Sequence, residues 1–199
     1  MTFLRDTGQA LSRRAIAACM CASLLASCSI GPKPQAQIGA WDFGPPAATT
    51  TRLTIKALGT VEVVAPRWID SVNTHYRLGY ANPAQPMAYS QTRWVMPPPI
   101  LIDARLRERL VAGGTLLGGA GPTLRIELDE FAQTFDSEKS SRAVLRARAT
   151  LSSGREVLRQ RPFTIEVPAA TADGPGGAAA LARAAERLIE AVLDWAGGA

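Results

Sequence analysis

Few residues in this chain of 199 could do nucleophilic or metal chemistry: three cysteines and one histidine. Cys19, Cys21 and Cys28 crowd together near the start, in a spacing that suggests a redox pair or a metal site. They lie, however, in an uncharged apolar run of 14 residues, Ala15 to Cys28, led by Arg13 and Arg14. That length suits the hydrophobic region of an export signal and falls short of the ~20 residues that span a bilayer. His75 lacks the His-x-x-x-His, cysteine pair or Gly-x-Ser-x-Gly companion of a ligand or triad base, and reads as an ordinary strand residue. Asp129, Glu130, Asp136 and Glu138 lack calcium-loop spacing and read as a solvated strand end. The glycine-rich run 113–121 follows a helix and has no lysine, so it is a connector rather than a phosphate loop. Arg142, Arg146, Arg148, Arg155, Arg159 and Arg161 fall on two neighbouring strands. On one outer face they would grip phosphates or an acidic partner, although sheet faces also carry arginine for solubility. Catalytic, cofactor and metal sets are all missing, and the expectation is a non-enzyme that needs no cofactor.

The end of the apolar run, Leu25-Ala26-Ser27-Cys28, resembles the lipobox of bacterial lipoproteins. The resemblance implies diacylglycerol on the Cys28 thiol, cleavage just before it and acylation of the new amino group. Small Ala26 and Ser27 suit a protease cleft, and a thiolate is the nucleophile that takes the lipid. One acyl chain holds a membrane only marginally, whereas two or three make a durable anchor. Ser29 follows where Asp would favour retention at the inner membrane, so the expected location is the outer membrane, lipid-anchored, on its periplasmic face.

The expected division is a signal peptide over 1–27, a lipidated tether over 28–39 and one domain over 40–199. Gly31-Pro32-Lys33-Pro34 makes the tether extended, with a reach on the order of 30 Å. A domain of this length buries enough surface to fold without disulfides. The formal charge is +5, of which Arg5, Arg13 and Arg14 against Asp6 supply two within the signal. The remaining positive charge is dispersed, which argues against a nucleic-acid partner.

Periodicity supplies the elements. Residues 40–43 alternate as a short strand, and 53–65 as a long half-buried strand kinked at Gly59, with the odd positions inward. Residues 72–80 and 87–94 form a hairpin across a turn over 81–86. Pro97-Pro98-Pro99 leads a helix with Ile102, Leu106 and Leu110 on one side and Asp103, Arg105 and Arg107 on the other, ended by Gly113-Gly114. Leu124, Ile126 and Leu128 alternate until a bulge at Glu130-Phe131. Ala143 to Leu151 and Phe163 to Val167 alternate across a turn at Ser152-Ser153-Gly154, with Pro162 marking an edge or a bulge in the final strand. Asp173-Gly174-Pro175 opens a last helix whose apolar stripe is Leu181, Ala185, Leu188, Val192 and Trp195. The fold class is α+β: an antiparallel or mixed sheet with two amphipathic helices packed on one face.

Aromatic residues concentrate between Trp68 and Trp94, where core and interface roles compete. Here Trp41-Asp42-Phe43-Gly44-Pro45-Pro46, Tyr76-Arg77-Leu78-Gly79-Tyr80-Ala81-Asn82-Pro83 and Met87 through Arg93-Trp94 resemble the ABC-type transport auxiliary lipoprotein family. The similarity runs over roughly 38–195. Trp41 stands where the family usually has Tyr, and Val95 where Ala is common. The resemblance implies an auxiliary lipoprotein of an MCE-type system that moves phospholipid or another hydrophobic molecule between the membranes. Its implied partners are an MCE-domain subunit and the ABC permease and ATPase complex; homo-oligomer formation stays open. Candidate partner contacts are Trp68, Tyr76, Tyr89, Arg93 and Trp94, and Cys28 is the lipid-attachment residue. The alternative is a structural or assembly lipoprotein of an envelope or secretion complex that carries no lipid.

Overall fold

The computed structural model describes residues 39–46 and 53–198. Cys28, the expected signal peptide and the expected tether up to residue 38 lie outside the described residues.

Three long strands form the spine: β7 (Thr123–Ser137), β8 (Ser140–Ser153) and β9 (Glu156–Pro168), paired antiparallel in sequence order. Their alternation puts Leu124, Ile126 and Leu128 of β7 opposite Leu151, Ala149 and Ala147 of β8, all buried on one face. The pairing shifts between Leu128 and Glu130. The extra residue, Asp129, reverses the phase, so Phe131 continues the buried face and Glu130 points to the other. β9 is an edge strand, which is why Pro162 is tolerated there.

Two parallel strands share the other side of β7. β3 (Thr60–Val64) lies along its first half, from Thr60 opposite Thr123, and β4 (Asn73–Leu78) along its second, from Tyr76 opposite Gln133. β5 (Asn82–Trp94) returns antiparallel to β4, and β1 (Gly39–Trp41) runs parallel to β5 at residues 92–94. The result is a mixed sheet of seven strands. A second, two-stranded ribbon pairs β2 (Ala57–Leu58) with β6 (Leu116–Leu117).

Two sequence expectations are corrected here. The stretch 53–65 is two strands, β2 and β3, because Gly59 crosses the backbone of Gly121 so closely that a Cβ on Gly121 would stand 2.7 Å from Gly59 N. The phase resets at the crossing, and Leu58 rather than Ala57 is buried. The turn over 81–86 is also shorter than expected: β5 starts at Asn82, and Pro83 and Pro86 are accommodated in an exposed length of strand.

Helix α1 (Pro98–Ala112) buries Ile102, Leu106 and Leu110 completely, and Gly113 caps it by donating to Arg109 O at 2.9 Å. Helix α2 (Gly174–Gly197) starts where Asp173 Oδ1 accepts from Gly176 N at 2.8 Å, an N-cap in the usual sense. Its stripe of Leu181, Ala185, Leu188, Val192 and Trp195 joins α1 and the inner sheet face in one apolar cluster. Each large side chain fully buried there contributes roughly 1.5–3 kcal/mol. Arg105 departs from the expectation of a solvated helix side: it is buried between α1 and α2, paired with Glu186 and donating to Gly44 O.

Candidate functional site

The outer face of the sheet is charged, and its centre is Glu130, only 4 % exposed. The β7 bulge turns this carboxylate outward, where Arg77 of β4 meets it through Nε at 2.9 Å and Nη2 at 3.2 Å. Arg146 of β8 adds a contact at 3.3 Å. Arg77 also donates to Pro83 O at 3.2 Å and lies 5.3 Å above the Trp68 ring. Glu130 is thus a satisfied buried ion rather than the solvated strand end read from sequence. A carboxylate buried in this way costs several kcal/mol to desolvate, and its two guanidinium partners offset that penalty.

His75 sits edge-on to Trp68 with ring centres 5.4 Å apart. Burial lowers its pKa below the ordinary value; Glu130 opposes that shift and Arg77 adds to it. The imidazole is therefore neutral at pH 7 and packs as an ordinary strand residue.

The arginine set does not gather on one face. Arg142, Arg146 and Arg148 project outward, but each has carboxylate company: Arg142 pairs with Asp136 and Glu166, Arg146 with Glu130, and Arg148 with Glu127 and Asp129. Arg159 and Arg161 lie opposite Leu151 and Ala149, on the inner side. There they cover Trp195 and Phe163 at 5.2 Å each. The 390 Å³ cleft beside Arg77, Pro83 and Glu130 is lined by three arginines, Arg77, Arg142 and Arg146, and two carboxylates, Glu130 and Glu166, and each of these arginines already has a carboxylate partner.

The five expected contact residues separate by position. Trp68 and Arg93 reach the surface, with Arg93 exposed opposite Asn73. Tyr76 and Tyr89 stack with centroids 4.5 Å apart, half-buried beside the start of α2. The Tyr89 hydroxyl donates to Gln133 Oε1 at 2.8 Å, and Gln133 Nε2 donates to Ser141 Oγ at 2.7 Å. Burial, then Tyr76 and Asp173, push the Tyr89 pKa up, so the phenol remains a donor. Trp94 is the exception: at 2 % exposure it belongs to the core, edge-on to Phe43 at 5.7 Å. Thr92, Trp94 and their alternation carried it inward.

Sequence reasoning missed the apolar group next to Arg93. Val72, Val95, Met96 and Ile100 are exposed where β5 leads into α1, and Trp94 N donates to Val72 O at 2.8 Å. The signal available was Val95-Met96, stranded between a core tryptophan and three prolines. A 340 Å³ groove also runs between Trp41–Gly44 and the side of α2 that carries Ala179, Ala182, Arg183 and Glu186. Among the described residues no group of three or more His, Cys, Asp or Glu is placed to hold a metal, and no helix is long and apolar enough to cross a membrane.

Known proteins resemble this arrangement. The model of a family described as the ABC-type transport auxiliary lipoprotein component matches residues 42–192. The crystal structure of protein XCC0632 from Xanthomonas campestris, of family DUF330, superimposes with a TM-score of 0.64 at 19 % identity, covering 84 % of this chain and 90 % of that one. A second crystal structure, of an uncharacterized protein, gives a TM-score of 0.59 at 15 % identity over 74 % of this chain and 95 % of that one. At such identities the two structures speak for the fold. No curated protein matches the chain.

Proposed function

Because the chain belongs to the ABC-type transport auxiliary lipoprotein family, we propose that it is the lipid-anchored, periplasm-facing component of an MCE-type transport system. It is a transport-associated lipoprotein of the cell envelope, and its family is an auxiliary component of ABC transport rather than an enzyme family. The family match over 42–192 carries this reading.

In this reading residues 1–27 are removed, Cys28 carries the acyl chains, and residues 28–39 tether the domain to the periplasmic face of the outer membrane. The cargo is phospholipid or another hydrophobic molecule passing between the membranes. The partners are an MCE-domain subunit and, through it, the permease and ATPase. Trp68 and Arg93 contact the partner together with Val95, Met96 and Ile100, an arrangement of apolar centre and aromatic or arginine flank that interfaces favour. Tyr76 and Tyr89 support that surface from the inner side of the sheet.

The anchor is tested by fractionating envelopes from cells making the Cys28→Ser chain. Loss of membrane retention is expected, and retention equal to the parent removes the anchor. The partner is tested by crosslinking from position 93: capture of an MCE subunit is expected. Capture of secretion or assembly components instead favours a structural envelope role.

A further inference from the structure

The sheet has one long unshared edge. β9 pairs with β8 on one side, and among the described residues no strand pairs with its other side. The register tells which backbone groups face outward there. Ala169 N donates to Ser141 O at 3.0 Å, and the same register places Val167 opposite Ala143, Ile165 opposite Leu145 and Phe163 opposite Ala147. In an antiparallel ladder such alternate pairs exchange hydrogen bonds, so the residues between them turn N–H and C=O the other way. The outward set on β9 is therefore Gln160, Pro162, Thr164, Glu166 and Pro168.

Two of these five are prolines, which offer no N–H. Arg183 of α2 already donates to Pro168 O at 3.1 Å, which closes that end. What stays open is a short ladder, made of the N–H and C=O of Gln160, Thr164 and Glu166 and the C=O of Pro162. All four residues are exposed. Prolines on both sides of Thr164 and Glu166 limit how far a strand can add, one of the devices that keep a sheet edge from indiscriminate pairing.

Beside the ladder runs a 500 Å³ groove between β9 and α2, lined by Arg161, Phe163 and Ile165 from the strand and by Ala191, Asp194 and Trp195 from the helix. Side chains alternate along a strand, so a segment added to the ladder sends every second side chain to the groove side. An unpaired ladder next to such a groove suits an extended peptide bound as an extra strand, main chain to main chain, with alternate side chains in pockets.

Only a polypeptide carries N–H and C=O groups at strand spacing. A second copy of β9 does not fill the groove, because its own inward residues Phe163 and Val167 are held in its core, at 7 and 2 % exposure. We propose that the β9 edge receives an extended segment of another protein, added antiparallel as a further strand of the sheet. Antiparallel addition continues the β7–β8–β9 order and is the more stable pairing per residue. The segment carries apolar residues opposite Ile165 and Phe163, and an acidic one opposite the exposed Arg161 on the same face. Binding at this edge does not depend on the anchored-transport reading above.

The test uses the full chain in detergent and the blocked peptide acetyl-Thr-Leu-Thr-Leu-Thr-Asp-Thr-amide, whose leucines meet Ile165 and Phe163 and whose aspartate meets Arg161. Anisotropy of the labelled peptide should report binding, and hydrogen–deuterium exchange of the chain should slow across residues 160–166. N-methylation of the second threonine, whose N–H bonds to Thr164 O, should weaken binding about tenfold or more, whereas N-methylation of the second leucine, whose N–H faces away from β9, should leave it nearly unchanged. Thr164→Pro, at a position with the same outward N–H as Pro162, should abolish binding while circular dichroism stays that of the parent. Arg161→Glu should reverse the preference between this peptide and one with lysine in place of the aspartate. No binding at a peptide concentration of about 1 mM overturns the proposal, as does equal weakening by the two N-methylations. Protection of 160–166 before peptide is added, by a second copy or by another part of the chain, overturns it too.

Discussion

At the residue scale, Glu130 shows how much of the outer face depends on one buried carboxylate. Glu130→Ala leaves Arg77, 18 % exposed, without its bidentate partner, and should lower stability by about 3 kcal/mol in urea titrations. Arg146→Ala, at a side chain 57 % exposed, should cost under about 1 kcal/mol. Similar losses for both would show that the pair with Arg77 is not the principal one. His75 supplies a pH dependence. Its folded pKa is below the unfolded value, so below pH 6.5 the unfolded chain binds more protons and stability falls as the pH drops. His75→Gln should flatten that slope in thermal melts between pH 7 and 5; an unchanged slope assigns it to other groups. Sequence gave little notice of this cluster, because Arg77 and Glu130 stand 53 residues apart and meet only through a parallel pairing. The inner placement of Arg159 was hidden for a similar reason: the ring that receives it, Trp195, belongs to α2.

At the element scale, regular alternation with one buried face made β7, β8 and β9 legible, bulge included, since a period of two admits one inward set. The two helices were equally legible from their prolines, glycines and apolar stripes. Less visible were the features set by close approach. The ribbon at β2 and β6 depends on Gly59 meeting Gly121, far apart in sequence, and β5 begins early because an exposed strand tolerates Pro83. Gly177 provides a test of the same kind. In an ordinary helix interior, glycine to alanine stabilises by up to about 1 kcal/mol. At Gly177 the added methyl collides with the Gln133 side chain, which is fully buried and held by Tyr89 and Ser141. Gly177→Ala should therefore destabilise by roughly 1–3 kcal/mol. A gain in melting temperature would mean that α2 stands off the sheet there.

At the scale of the whole molecule, a closed core of two helices on a mixed sheet leaves function to the surface. On the outer face Arg77, Arg142, Arg146 and Arg148 are each paired with carboxylates, and the exposed aliphatic groups beside Arg93 are the contact points that the proposed function uses. Family membership supplies the transport association, and in the function proposed above an anchor at Cys28 supplies the place. The most direct measurement is purification of the full-length chain from detergent-solubilised envelopes, with mass spectrometry of its N-terminal peptide and of the co-eluting proteins. The expected result is a peptide that begins at Cys28 with acyl chains attached, together with the permease, the ATPase and an MCE-domain subunit. An unmodified Cys28 in a chain that elutes without any transporter component would contradict it.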